Sequence, residues 1–208
     1  RVEIKGKAIL FESGIYAVLP KDMPETLALA ALDVAGAPAQ VAKLARPCQS
    51  VVILGSAGKS GMLCAYEAVK RVGPTGTVIG LVRNEKEAAL LARVSDKIKV
   101  VIADATKPIE VLNAVLAAND GKEVDIAINC VNVQNTEMST ILPVKDLGIA
   151  YFFSMATSFT KAALGAEGVG KDVTMIVGNG YTKDHAAITL EELRESAVLR
   201  EIFNELYV

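Results

Sequence analysis

The chain has no tryptophan, a single histidine, three cysteines and only 5% aromatic residues among its 208 positions. With His185 as the one imidazole, neither a Ser–His–Asp nor a Cys–His arrangement can be assembled, and no histidine-rich metal set is available. Cys48, Cys64 and Cys130 are odd in number, far apart and free of any C-x-x-C spacing. They exclude a disulfide framework and a zinc site, and they predict reduced thiols in a cytoplasmic protein. Charge of one sign is lacking as well: 22 Lys and Arg face 24 Asp and Glu, with no basic cluster interleaved with aromatics. Nucleic acid is therefore not an expected partner. The longest apolar stretch, around Leu27 to Val34, is broken by Asp33. It falls short of the roughly 18 residues of a membrane helix, and neither a membrane nor a signal peptide is expected.

What is abundant is apolar side chain, 51% of the sequence, enough for a full core. The stretch that organises it is Val51-Val52-Ile53-Leu54-Gly55-Ser56-Ala57-Gly58-Lys59-Ser60-Gly61, four apolar residues running into a glycine-rich turn. A helical pattern follows from Met62. An unbroken apolar run reads as a buried parallel strand, and glycines at its carboxyl end let the backbone lie close to a diphosphate at the next helix N-terminus. The spacing is G-x-x-G-x-x-G, or S-x-G-x-x-G from Ser56, rather than G-x-G-x-x-G.

Around that stretch the chain alternates apolar strands with amphipathic helices. Strands are predicted at 51–54, 77–82, 99–103, 124–129, 149–153 and 173–177, with helices between them, including one from about Glu85 capped by Asn84. Six strands in this rhythm fit an α/β Rossmann fold, a doubly wound parallel sheet of order 3-2-1-4-5-6 with a dinucleotide crevice at the strands' carboxyl ends. Ahead of it, Val2 to Leu19 reads as short strands. A helix from Pro24-Glu25 is expected to be interrupted at Gly36-Ala37-Pro38. Behind it, Thr189 and Glu192 stand at capping-box spacing before one helical stripe. The expected organisation is 1–23 as the remnant of a catalytic domain, 24–187 as the dinucleotide-binding domain and 188–208 as a helical segment. A chain that starts at Arg1 in mid-strand reads as a fragment of something longer.

In that geometry the candidate binding residues are Gly55, Ser56, Ala57, Gly58, Lys59, Ser60 and Gly61 in the first loop. Arg83 and Asn84 follow strand two, Asp104, Ala105 and Thr106 follow strand three, and Cys130, Val131 and Asn132 follow strand four. Ser154, Met155 and Ala156 follow strand five, and Gly178 and Asn179 follow strand six. Lys59 is either an added donor or a solvated loop lysine whose amide serves equally well. An acid about 20 residues past the glycines ordinarily takes a ribose 2′-hydroxyl; here the region reads Val82-Arg83-Asn84. Arg83 suits a 2′-phosphate, which leaves NAD or NADP open and leans to NADP, unless Arg83 is simply a surface residue. His185 is expected in a loop, a surface residue more readily than a catalyst. Tyr66 and Lys70 make a Y-x-x-x-K too early for a catalytic pair, so Tyr66 reads as core and Lys70 as solvated. Asn132, Ser154, Thr157, Asn179 and Tyr181 fall at predicted strand ends, where ligand contacts belong, but each could equally be a cap. Strand six, as an apolar sheet edge, predicts a homodimer.

Phe11-Glu12-Ser13-Gly14-Ile15-Tyr16-Ala17, Ala31-Leu32-Asp33-Val34-Ala35-Gly36-Ala37 and the six-strand unit together resemble the medium-chain dehydrogenases/reductases. The finer signature lies in Gly58-Lys59-Ser60-Gly61, Met175-Ile176-Val177-Gly178-Asn179-Gly180-Tyr181 and Leu199-Arg200-Glu201. It is similar to an NAD(P)-dependent amino-acid dehydrogenase within that superfamily. The resemblance implies oxidative deamination of a small-molecule amine, with hydride passing to a nicotinamide dinucleotide and an imine hydrolysed to ketone and ammonia. It carries over no catalytic residue, because the front domain is not in this sequence. Two other readings stay open: an atypical short-chain-like reductase, and a nucleotide-sensing module without turnover.

Overall fold

In a computed structural model, residues 4–178 and 180–208 are described. The six apolar runs lie in one all-parallel sheet of order β3-β2-β1-β4-β5-β6. Its strands are β1 (Ser50–Leu54), β2 (Thr77–Val82), β3 (Ile98–Ile102), β4 (Val124–Asn129), β5 (Val144–Phe152) and β6 (Thr174–Val177). The intervening helices are α3 (Lys59–Val72), α4 (Glu85–Val94), α5 (Pro108–Ala118), α6 (Glu137–Ile141) and α7 (Phe159–Gly168). They are preceded by α1 (Glu25–Leu32) and α2 (Gly36–Leu44), and followed by α8 (His185–Glu195) and α9 (Ala197–Tyr207).

Alternation along β1 shows how the two layers form. Val51 and Ile53 point into a core shared with Val41, Met62, Leu63, Leu193 and Phe203, whereas Val52 and Leu54 point into a second core with Ile79, Leu81, Val111 and Val115. Val51, Val52, Ile53 and Leu54 are all fully buried. A strand covered on both faces has no polar side, which is why it reads as a continuous apolar run. The order reverses between β1 and β4, so the loops at their carboxyl ends diverge and open a crevice.

Several expectations are corrected. The segment predicted as strands before residue 20 forms no strand among its described residues; Ile9, Phe11 and Val18 are 87%, 75% and 80% exposed. A strand needs a partner ladder, and no other segment described here supplies one to these residues. Gly36-Ala37-Pro38 begins α2 rather than separating helices, because proline is tolerated in a first turn. β5 starts at Val144, five residues early: Val124 pairs with Val144 but Ile126 with Ile149, so Lys145 to Gly148 bulge, and Leu147 adopts a left-handed φ of 61°.

The tail is two helices broken at Ser196, whose hydroxyl caps α9 by accepting from the Leu199 amide at 3.1 Å. Thr189 and Glu192 are not a capping box but buried interior positions of α8; Thr189 Oγ1 donates to the Ala35 carbonyl at 3.3 Å. The expected boundary at residue 187 therefore falls within α8, which packs on α1, α2 and α3. Tyr66 is half-buried, and Lys70 is not simply solvated: its Nζ lies 2.6 Å from Glu195 and 3.3 Å from buried Glu67.

Candidate functional site

The turn after β1 is built by its glycines. Gly55 has a φ of +79°, a conformation that admits glycine at no steric cost, and its amide and that of Ser56 both donate to the Leu81 carbonyl at 3.0 and 3.1 Å. The Gly58 amide then donates back to the Gly55 carbonyl at 3.1 Å, closing the turn. Gly61 lets α3 rest on this turn, since a Cβ there would sit 2.1 Å from the Gly55 oxygen. Lys59, Ser60 and Gly61 thus supply first-turn amides that have no intrahelical acceptor, the arrangement that suits an anion. Ser56 does not point out of the loop: it is fully buried and its hydroxyl donates to the Ile53 carbonyl at 2.6 Å. The Lys59 ammonium turns sideways as well, pairing with Asp33 at 2.9 Å and lying 5.2 Å from the Tyr207 ring centre. Of the two readings of Lys59, only its backbone amide remains directed at the turn.

The turn floors a cleft of about 380 Å³ lined by Gly55, Ala57 and Gly58, with Leu81, Val82, Arg83 and Glu87 on one wall. Asp104 and Ala105 continue that wall; Cys130, Val131, Asn132 and Val133 form the other. Val131 is fixed by its amide donating to buried Asn129 Oδ1 at 2.9 Å, and Asn129 Nδ2 donates in turn to Thr136 and Thr140. The small residues of the turn leave open space beside the first-turn amides of α3, which are hydrogen-bond donors suited to an anion.

Arg83 does line the cleft, but its guanidinium is engaged. Its Nε donates to Glu87 Oε1 at 2.9 Å, a second nitrogen reaches the same oxygen, and its amide donates to Oε2 at 3.0 Å. The hydrogen bond from Arg83 holds the Glu87 carboxyl below its ordinary range. Asn84 is a cap whose Oδ1 accepts from the Glu87 amide at 3.0 Å and does not line the cleft. Thr106 is also a support: its amide and hydroxyl donate to Asp104 at 2.9 and 2.7 Å and keep that carboxyl low. Ser154, Met155 and Ala156 form a turn at the end of β5, the Ala156 amide donating to Ser154 Oγ at 3.1 Å, outside the cleft lining. Gly178 packs against Tyr151, and Asn179 lies outside the described residues.

Leu81, Val82, Glu87 and Val133 are lining residues that sequence reasoning missed. Glu87 had a readable signal, an acid four residues after Arg83 at helix-pairing distance. His185 is not in a loop but opens α8, and its ring meets Tyr181 edge-on at 5.2 Å. Together with Ser13 to Val18 and Asp184 they border a second hollow, apart from the residues of the first. Among the described residues no group of three or more His, Cys, Asp or Glu could hold a metal ion.

The sheet order and the glycine turn define a doubly wound Rossmann unit with a cleft at the carboxyl ends of its central strands. No family model matches the chain. Over its full length it is 88% identical to the L-erythro-3,5-diaminohexanoate dehydrogenase of Fusobacterium nucleatum and 71% identical to that of Acetoanaerobium sticklandii. The chain spans 60% of the length of each of these relatives. Among solved structures, it matches the alcohol dehydrogenase of Aeropyrum pernix with a TM-score of 0.65 at 20% identity, over 85% of this chain and 51% of that one. A mycobacterial protein complexed with NADPH matches with a TM-score of 0.62 at 16% identity, over 92% of this chain and 58% of that one. These structural likenesses concern the fold.

Proposed function

We propose that the chain is the cofactor-binding part of an NAD(P)-dependent dehydrogenase that oxidatively deaminates L-erythro-3,5-diaminohexanoate to 5-amino-3-oxohexanoate and ammonia, a step of lysine degradation. The observation that carries this is the 88% identity across all of this chain to a dehydrogenase of that name. When bound, the dinucleotide supplies the hydride acceptor. The chain's own residues bind and orient it: first-turn amides of α3 at the diphosphate, the Leu81–Arg83 and Asp104–Ala105 wall at the adenosine, the Cys130–Val133 wall toward the nicotinamide. Residues 1–23 belong with the substrate domain in this reading. Reduced nicotinamide is expected when the full-length protein meets 3,5-diaminohexanoate with NAD or NADP; no reduced product with either would exclude the reading. Dinucleotide bound without turnover would favour the sensing module instead.

Arg83 supports a lean to NADP, with Glu87 as its competitor for the guanidinium. Arg83→Ala should weaken NADPH binding by roughly tenfold or more while sparing NADH, the size of one charge-assisted hydrogen bond. Glu87→Gln should move preference further toward NADPH. Fluorescence titration with both reduced cofactors reads this, and an unchanged ratio in Arg83→Ala would return Arg83 to the surface.

The exposed sheet edge at β6, with Val177 44% exposed, supports a homodimer through that strand. Sedimentation of the full-length protein at micromolar concentration should show a dimer, and a monomer would rule this out. The cysteines, all free, support a cytoplasmic location. Balanced charge supports the absence of a nucleic-acid partner. Among the described residues no single helix is long and apolar enough to cross a membrane.

A further inference from the structure

Two of the three cysteines, separated by 66 positions in sequence, meet at the cleft. Cys130 Sγ lies 3.9 Å from Cys64 Sγ and donates its thiol hydrogen to it. Cys64 sits on α3, one turn beyond the amides that face the glycine turn, and is fully buried. Cys130 lines the cleft beside Gly55, where a Cβ would come within 3.3 Å of the Cys130 carbonyl carbon. The pair therefore bridges the wall after β4 and the helix that carries the turn. Cys130 is half-buried among the residues that line the cleft, whereas Cys64 is fully buried behind it. Cys48, the third, is exposed and paired instead with Thr75 at 3.0 Å, with no thiol near it to resolve an oxidised sulfur.

The geometry points to a thiol oxidation site in which Cys130 meets a peroxide through the cleft and Cys64 resolves it to an intramolecular Cys64–Cys130 disulfide. In the first step the Cys130 sulfur attacks one peroxide oxygen and the O–O bond breaks. Cys130 becomes a sulfenic acid, and the other oxygen leaves as water. In the second step the Cys64 sulfur attacks the sulfenic sulfur, the S–S bond forms and the S–O bond breaks. The hydroxyl leaves as a second water with the Cys64 proton, so two thiols lose two electrons and one peroxide gains them. Burial pushes the Cys64 thiol well above the ordinary cysteine range, which keeps it protonated and leaves the first attack to Cys130. Closing 3.9 Å to the roughly 2.05 Å of a disulfide draws Cys130 and α3 together beside the glycine turn. Oxidation should thereby reshape the cleft. If the cleft holds a dinucleotide as proposed above, the bound cofactor covers Cys130 and slows the first step.

The test is mild hydrogen peroxide on the full-length protein, followed by alkylation of remaining thiols, digestion without reductant and mass spectrometry. The expected product is one cross-linked pair of peptides containing Cys64 and Cys130, two hydrogens lighter than the two reduced peptides, with Cys48 alkylated. In Cys64→Ala, Cys130 should stop at the sulfenic acid and be trapped by dimedone, whereas in Cys130→Ala the Cys64 thiol should stay reduced. Cross-links to Cys48, or Cys130 passing to sulfinic acid while Cys64 stays alkylated in the unmodified sequence, would overturn the site. Failure of dinucleotide to bind in a parallel titration would count against the cofactor reading and leave the peptide map to judge the disulfide. Binding that does not slow oxidation would overturn the shielding.

Discussion

Gly61→Ala should cost about 3 kcal/mol or more of folding stability and remove dinucleotide binding with it. The added methyl would lie 2.1 Å from the Gly55 carbonyl oxygen and 2.7 Å from the Ser56 Cα, both backbone atoms that no rotamer change can move aside. Relief requires α3 to lift off β1, and Met62, Leu63 and Cys64, all fully buried, are carried away from the core when it does. Gly58→Ala is the informative contrast. Its φ of −79° suits any residue, and its Cβ would be 3.3 Å from the Gly55 oxygen. That variant should fold with a loss below about 1 kcal/mol, yet it places a methyl where the turn borders the cleft and should weaken the cofactor at least tenfold. Urea denaturation and cofactor titration on both variants separate the effects. Equal stability losses would contradict the packing account of Gly61.

A second large effect is expected at Glu192, which lies in α8 with both carboxyl oxygens buried and without a hydrogen-bond partner. Burial raises its pKa well above the ordinary 4.5, and the Glu67 charge raises it further, with Lys70 and Arg71 opposing and Glu195 adding to the rise. Glu67 is buried as well but is paired with Arg71 at 2.7 Å, so it keeps a counter-charge; Glu192 has none in contact. The folded protein thus holds a proton that the unfolded chain releases near pH 4.5. The contribution of Glu192 is fully present below that value and is lost as pH rises toward the folded pKa, so it lowers stability with rising pH. Asp22, Glu87, Asp104, Asp125 and Glu205 have the opposite sense, their carboxyls held low, and their contribution is lost only in acid. Stability should therefore peak at mildly acidic pH and decline toward neutrality. Glu192→Met, similar in length and without the polar atoms, should stabilise by about 1–3 kcal/mol at neutral pH and flatten that decline. Thermal melts across pH decide it, and an unaltered slope in Glu192→Met would reject the assignment.

Much of the sheet was legible because parallel strands buried on both faces announce themselves as apolar runs. Thr77–Val82 and Val124–Asn129 match their predicted limits, and Asn84 caps α4 through the Glu87 amide as its spacing suggests. Periodicity fails where long-range partners decide. The apolar alternation before residue 20 does not by itself create a ladder, and the first half of β5 is exposed and polar at Lys145 and Asp146, with Lys145 paired to Asp125 at 2.6 Å. Thr189 and Glu192 look like a helix start in one dimension. Only the packing of α8 on α1 and α2 shows them to be interior. At the site, the backbone that makes the turn was readable from its glycines, but side-chain direction was not. Ser56 turns into the sheet, Lys59 reaches across to Asp33, and Arg83 is occupied by Glu87.

The central position of β1 has a kinetic consequence. Its two neighbours come from different parts of the sequence, β2 a short crossover away and β4 some 75 positions on, where Ser50 and Asp125 join the strands through the Ser50 amide at 2.7 Å. No hairpin shortens either search, since every ladder is parallel. Half of the sheet, β1 to β3, can zip from nearby segments, while the other side of β1 stays an open apolar edge until β4 arrives. Refolding is expected to be slow and most prone to association in that interval, and the Ser50–Asp125 clasp marks its end.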